Sequence, residues 1–182
     1  MVDMYKHRLT LLQQDILRLL FLRFGETLNQ RAISKKINVS ATAVMKALPE
    51  MQKQNLILIK KDKESKRLSI EINGENNLLI QLKRAENLKL VCCSGLSEFL
   101  ENNFLGATII LFGSYSRGED TIKSDIDIAI IGRKEKKISL EKFENELQRE
   151  IRINFYESFK RIEENLKNNL LNGIILSGSV QL

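Results

Sequence analysis

The run Gly106-Ala107-Thr108-Ile109-Ile110-Leu111-Phe112 constrains this chain most, because a continuous apolar strand is stable only when both of its faces are covered. It runs directly into Gly113-Ser114. A second strand follows, Ser124-Asp125-Ile126-Asp127-Ile128-Ala129-Ile130-Ile131. Side chains alternate across a strand, so Asp125 and Asp127 share one face while Ile126 and Ile128 take the other. The two runs predict a covered sheet with a polar mouth.

The residues at that mouth suit phosphate and metal. Gly113 and Gly118 flank a Ser-x-x-Arg pattern, and without a Cβ their backbone N–H groups can approach phosphate oxygens closely. Ser114 adds a hydroxyl and Arg117 a charge. Asp125 and Asp127, about 7 Å apart along the backbone, can converge on metal ions spaced roughly 3.5–4 Å apart. Carboxylate and phosphate oxygens suit Mg2+, which prefers to be shared between protein and nucleotide.

Taken together, Gly-Ser, three further residues, Gly, and then Ser-Asp-x-Asp at the head of an apolar strand resembles the signature of the DNA polymerase β-like nucleotidyltransferases. More narrowly, it looks like the minimal nucleotidyltransferases of archaea and bacteria. The resemblance covers residues 96–182, including a trailing helix over 157–172 and a closing strand over 172–178. It implies a small mixed sheet flanked by helices and transfer of a nucleoside monophosphate, AMP foremost, from a nucleoside triphosphate with release of pyrophosphate. It also implies that Gly113, Ser114, Arg117, Gly118 and Ser124 bind the nucleotide, ATP or another triphosphate. Asp125 and Asp127 would be the catalytic residues and would hold two Mg2+ ions, or one. Active members carry a third acid on a later strand. Here the matching strand reads Glu150-Ile151-Arg152-Ile153-Asn154-Phe155-Tyr156, with Asn154 on the face where that acid belongs. Asn is neutral and cannot take a proton. Glu150 lies roughly 13 Å away along the strand and Glu157 has the opposite parity. Nucleotide binding is therefore expected ahead of catalysis.

Charge separates the two ends of the chain. Residues 1–73 hold 14 Lys and Arg against 7 Asp and Glu, a net +7, and the remainder holds 15 against 16, a net −1. Only the first part looks built for a polyanion. Leu9, Leu12, Ile16, Leu19, Leu20 and Phe24 predict a first helix ending at Gly25, and a second is expected over residues 28–37. Ser40 can cap a third helix whose Val44, Leu48 and Met51 face a core. The runs Leu56-Ile57-Leu58-Ile59 and Leu68-Ser69-Ile70-Glu71-Ile72 predict a hairpin. Three helices and a basic hairpin resemble the winged helix-turn-helix domains of prokaryotic transcription regulators, over about residues 5–73. That resemblance implies that Ala41, Thr42, Met45 and Lys46 meet base edges of double-stranded DNA, with the cap Ser40 also at the DNA and Lys60, Lys61, Lys63, Lys66 and Arg67 on phosphates. The alternative is a charged hairpin that is simply solvated, on a domain that contacts protein. Pro49 inside the third helix predicts a kink or an early stop.

The whole chain thus reads as α+β in three parts: a winged helix over 1–73, a helical connector over 74–95, and the nucleotidyltransferase domain over 96–182. Along the connector Leu78, Leu79, Leu82, Ala85, Leu88 and Leu90 are the candidate buried positions. No apolar run reaches the roughly 18 residues of a membrane helix and no leader pattern opens the chain, so a cytoplasmic protein without membrane contact is expected. Cys92 and Cys93 read as small apolar helix residues, and His7 lacks partners at metal-ligand spacing. Three functions follow: a transferase acting on a protein, nucleic acid or small-molecule acceptor; a DNA-binding regulator that only senses nucleotide; and, by family analogy, an antitoxin acting on a HEPN-type toxin. Winged-helix analogy suggests a homodimer.

Overall fold

The structure, a computed structural model, describes residues 9–61 and 68–180. His7 and the wing residues Lys63, Lys66 and Arg67 lie outside the described residues. The chain divides into two compact units, Met1–Leu79 and Ile80–Leu182.

In the first unit α1 (Leu11–Leu22) opens on a capping box. The Thr10 hydroxyl accepts from the Gln13 N–H at 3.3 Å, and the Gln13 side chain accepts from the Thr10 N–H at 2.9 Å. The helix ends at Leu22, two residues short of Phe24, and Gly25 takes a φ of 85° in the turn that follows. The second helix begins later than expected: α2 is Gln30–Lys36, capped by Asn29, whose side chain accepts from the Ala32 N–H at 2.9 Å. Leu28 instead pairs with Ile70 through two 2.8 Å backbone bonds, adding a short third edge to the hairpin. Ser40 caps α3 (Ala41–Lys53) by accepting from the Ala43 N–H at 3.1 Å. The hairpin is β1 (Ile57–Lys61) against β2 (Leu68–Ile72). Ile16, Leu20, Ile33, Val44, Met51, Leu56 and Ile70 close the core. This is the winged-helix order of elements.

Pro49 does not stop α3, which continues to Lys53, and its ring is exposed. Interior proline costs about 3 kcal/mol, of which roughly 0.4–1 kcal/mol is returned through the stiffer unfolded chain. Pro49→Ala is therefore expected to stabilise the chain by about 2 kcal/mol. Urea denaturation measures it, and an unchanged midpoint would mean the helix already accommodates the ring without loss.

The unit boundary falls inside α4 (Asn77–Cys93), so most of that helix belongs to the second unit. Its buried face differs from the leucine pattern. Leu79, Lys83, Asn87 and Val91 are buried, whereas Leu78 and Leu82 are exposed, as are Ala85, Cys92 and Cys93. After α5 (Leu96–Asn103) come β3 (Thr108–Phe112), the short α6 (Gly113–Arg117) and β4 (Ile126–Ile131). α7 (Glu141–Leu147) occupies a stretch to which the sequence reading assigns no element. Phe143 and Leu147 anchor it. β5 (Ile151–Tyr156) follows, and the trailing helix is split into a single 3-10 turn, Phe159–Arg161, and α8 (Glu164–Leu171). The split lets Phe159, Ile162 and Leu170 all reach the sheet. β6 (Ile174–Ser177) closes the chain's sheet.

Sheet order is β5-β4-β3-β6, with β4 and β5 parallel and the other pairs antiparallel. Ile109, Leu111, Ile126, Ile128 and Ile130 face one core with residues of α4, α5 and α7. Ile110, Phe112, Ala129 and Ile131 face the other, under α8 and the 3-10 turn. Covering on both faces is what the apolar runs demanded. Among the described residues no helix is long and apolar enough to cross a membrane.

Candidate functional site

β3 delivers Gly113 to the mouth of the sheet, where the antiparallel register sets Phe112 level with Asp127. Gly113 has a φ of 74°, and a Cβ built on it would stand 2.5 Å from Asp127 Oδ2. Only glycine lets the turn pass so close to that carboxylate. The α6 turn is locked internally by the Ser116 hydroxyl donating to the Gly113 carbonyl at 2.9 Å. Gly118 then ends it in the left-handed region, with a φ of 75°. A Cβ there would strike the Ile80 carbonyl and lie 2.8 Å from the Arg84 nitrogen. Both glycines named by the sequence are therefore required by close approach. Ser114 is half-buried at the start of the turn, and Arg117 is ion-paired to Glu119 at 2.8 Å. Ser124 accepts from the Thr121 N–H at 3.0 Å, so its hydroxyl tightens the turn that leads into the Asp pair.

A buried polar cluster that sequence reading missed holds this turn from behind. Asp120 is 1% exposed and is ion-paired to Lys83, which is 0% exposed. Lys83 also donates to the Asp120 carbonyl at 2.8 Å. Asn87 donates to Asp120 Oδ1 at 2.7 Å and to the Tyr115 carbonyl at 2.9 Å, and Arg149 stands 3.7 Å from Oδ2. Burial pushes the Lys83 amine below its ordinary range, and the Asp120 carboxylate pulls it back. Burial, with the Asp120 charge, pushes the Tyr115 phenol well up. The signal in the sequence is faint: Lys83 and Asn87 recur at a spacing of four after Leu79.

Asp125 and Asp127 are both half-buried and come together at the mouth. Burial first, then the Asp125 charge, push the Asp127 carboxyl up, and Arg152 partly offsets them. The parallel register sets Arg152 level with Asp127, whereas Asn154 stands level with Ala129, one step deeper. Arg152 reaches across to Asp125 at 2.9 Å and touches Glu150 at 3.2 Å. Among the described residues no group of three or more His, Cys, Asp or Glu could hold a metal ion. Two carboxylates and a glycine-opened turn fit one divalent cation shared with phosphate oxygens. They do not complete the three-acid set that two ions require.

In the first unit the positions named for DNA lie on accessible ground. Ser40, Thr42, Met45 and Lys46 are exposed along the start of α3, and Lys60 and Lys61 are exposed on β1. Lys60 is ion-paired to Glu71 at 2.6 Å, which reduces the charge it offers a phosphate.

Residues 93–177 match the family model described as a nucleotidyltransferase domain. No curated protein matches the sequence. Among solved structures the chain is similar to MepR, a transcription regulator of the Staphylococcus aureus multidrug efflux pump MepA. That match is 20% identical, covers 53% of this chain and 72% of MepR, and has a TM-score of 0.40. A second MepR structure, a complex with DNA, is 20% identical over 50% of this chain and 81% of that one, with a TM-score of 0.36. A ZitR mutant of Lactococcus lactis is 23% identical over 55% of this chain and 65% of that one, with a TM-score of 0.40. With its mixed sheet, glycine-opened turn and paired carboxylates, the stretch 93–177 has the make-up of the nucleotidyltransferase domain whose family model it matches.

Proposed function

We propose that this protein is a DNA-binding regulator, acting through residues 1–73, whose nucleotidyltransferase domain over 96–182 binds a nucleoside triphosphate, ATP foremost, and reports it without transferring it. The reading rests on one observation. Gly113 opens the turn onto Asp127, and the neighbouring strand sets Arg152 level with Asp127 and Asn154 one step deeper, while Glu150 at its head is ion-paired to Arg152. Gly113 and Ser114 would receive the triphosphate, Asp125 and Asp127 would hold one Mg2+, and Arg117 would add charge beside it. The cation would screen the phosphates from the two carboxylates. Neither Arg152 nor Asn154 can take a proton from an acceptor hydroxyl, and Glu150 is ion-paired to Arg152, so attack on the α-phosphate lacks a free base. The basic surface of α3 and the hairpin is the DNA side of the reading, with residues 74–95 joining the two parts.

Incubation with labelled ATP and Mg2+ tests it. The expected result is retained ATP, lost in Asp125→Ala/Asp127→Ala, with no pyrophosphate released. Pyrophosphate together with labelled protein or nucleic acid would replace this reading with the transferase one, which the retained Asp pair favours. Duplex DNA is expected to bind with an affinity that falls steeply with salt and drops severalfold in Lys46→Ala, measured by fluorescence anisotropy. Absence of duplex binding at low salt would sink the regulatory half.

A further inference from the structure

Asp125, Asp127 and the Arg152 guanidinium meet at the mouth of the sheet, with the Glu150 carboxylate at its rim. Arg152 is brought there by pairing, since the parallel register of β4 and β5 sets it level with Asp127. Its guanidinium contacts Asp125 at 2.9 Å, on an oxygen that a divalent cation would need at about 2.0–2.1 Å. An arginine cannot lose its charge in a protein, so it cannot step aside by deprotonating. It can step aside by moving. The side chain is 57% exposed, and Glu150, at 3.2 Å and itself exposed, is a second carboxylate on which it can rest.

We propose that Arg152 is the resident counter-ion of this site, competing with a divalent cation for Asp125, so that metal enters only by displacing the guanidinium toward Glu150. The inference rests on reading this mouth as the nucleotide and metal site, but the metal step can be measured without nucleotide. Arg152 acts here as a positioning residue that sets how strongly the carboxylate pair takes a cation. Because it also stands on the strand next to Asp127, position 152 is where an acid would complete a three-carboxylate centre. Asn154, level with Ala129, stands one step too deep for that.

Mn2+ titration of the full chain, followed by the electron paramagnetic resonance of free Mn2+, tests this. Arg152→Gln is expected to bind Mn2+ at least tenfold more tightly than the unmodified chain, and Arg152→Asp more tightly still. Arg152→Lys, which keeps the charge, is expected to stay within about threefold of the unmodified chain, a result that mere loss of side-chain packing would not produce. The gain is expected to vanish in Arg152→Gln/Asp125→Asn. Equal Mn2+ affinity in the unmodified chain and Arg152→Gln would overturn the proposal. So would a gain that survives Asp125→Asn, since the ion would then lie elsewhere. Thermal melts of each variant establish that it is folded, as substitution at an exposed position should allow. Failure of ATP to bind any of these proteins would overturn the nucleotide reading and leave the Mn2+ comparison standing, whereas equal Mn2+ affinities would do the reverse.

Discussion

Asp120→Ala is expected to destabilise the C-terminal unit by about 3–5 kcal/mol, the range for removing one partner of a buried ion pair. The magnitude follows from what remains behind. Lys83, 0% exposed, loses its counter-ion, and Arg149, 6% exposed, loses a carboxylate 3.7 Å away. Asn87 loses an acceptor at 2.7 Å. The pull that holds the Lys83 amine up disappears, leaving burial and the Arg149 charge to push it down, and the amine sheds its proton more readily. Lys83→Met should cost less, because Asn87 and Arg149 still serve the carboxylate and an apolar side chain replaces the buried amine. Urea denaturation followed by circular dichroism measures both. An Asp120→Ala loss below about 1 kcal/mol would mean that water reaches the cluster and that it is not a buried network. Because Asn87 also holds the Tyr115 carbonyl, the same variant should weaken ATP binding, although no residue of the cluster is assigned to the ligand.

The second large effect is expected at Gly113. Gly113→Ala should weaken ATP binding by at least tenfold while lowering stability by only about 1–2 kcal/mol, the usual cost of a left-handed residue that carries a Cβ. The added carbon would stand 2.5 Å from Asp127 Oδ2, so the carboxylate must turn away from the place where it would meet a metal. Gly118→Ala makes the contrast. Its Cβ meets backbone of α4, which cannot swing aside as a side chain can, so stability should fall further there. Calorimetric titration with ATP and thermal melts of the two variants separate the cases. Unchanged ATP affinity in Gly113→Ala would remove Asp127 from the ligand site.

Much of this was readable because it is local. The alternation of Asp125, Ile126, Asp127 and Ile128 follows from strand geometry, and the predicted two-faced burial of β3 and β4 is what the structure shows. The Ser40 cap and the alternation of the hairpin strands likewise depend on residues a few positions apart. Pattern reading failed where burial was polar or the constraint distant. On α4 the leucines Leu78 and Leu82 point outward while Lys83 and Asn87 point in, because the Asp120 carboxylate that receives them lies some 35 positions further along the chain. α7 went unread because Leu140 caps it without a side-chain hydrogen bond, so it has no capping signal to find.

By itself, then, the sequence determined two covered strands, a glycine-opened turn and a carboxylate pair on one face, since backbone sterics and period-two alternation act within a few residues. Which residue stands beside that pair was decided only in three dimensions. Arg152 and Asn154 have the same parity and either suits the face, but β4 and β5 are parallel strands joined through α7. Their register, fixed by pairing across a crossover and not by local sequence, sets Arg152 level with Asp127 and lets its guanidinium reach Asp125.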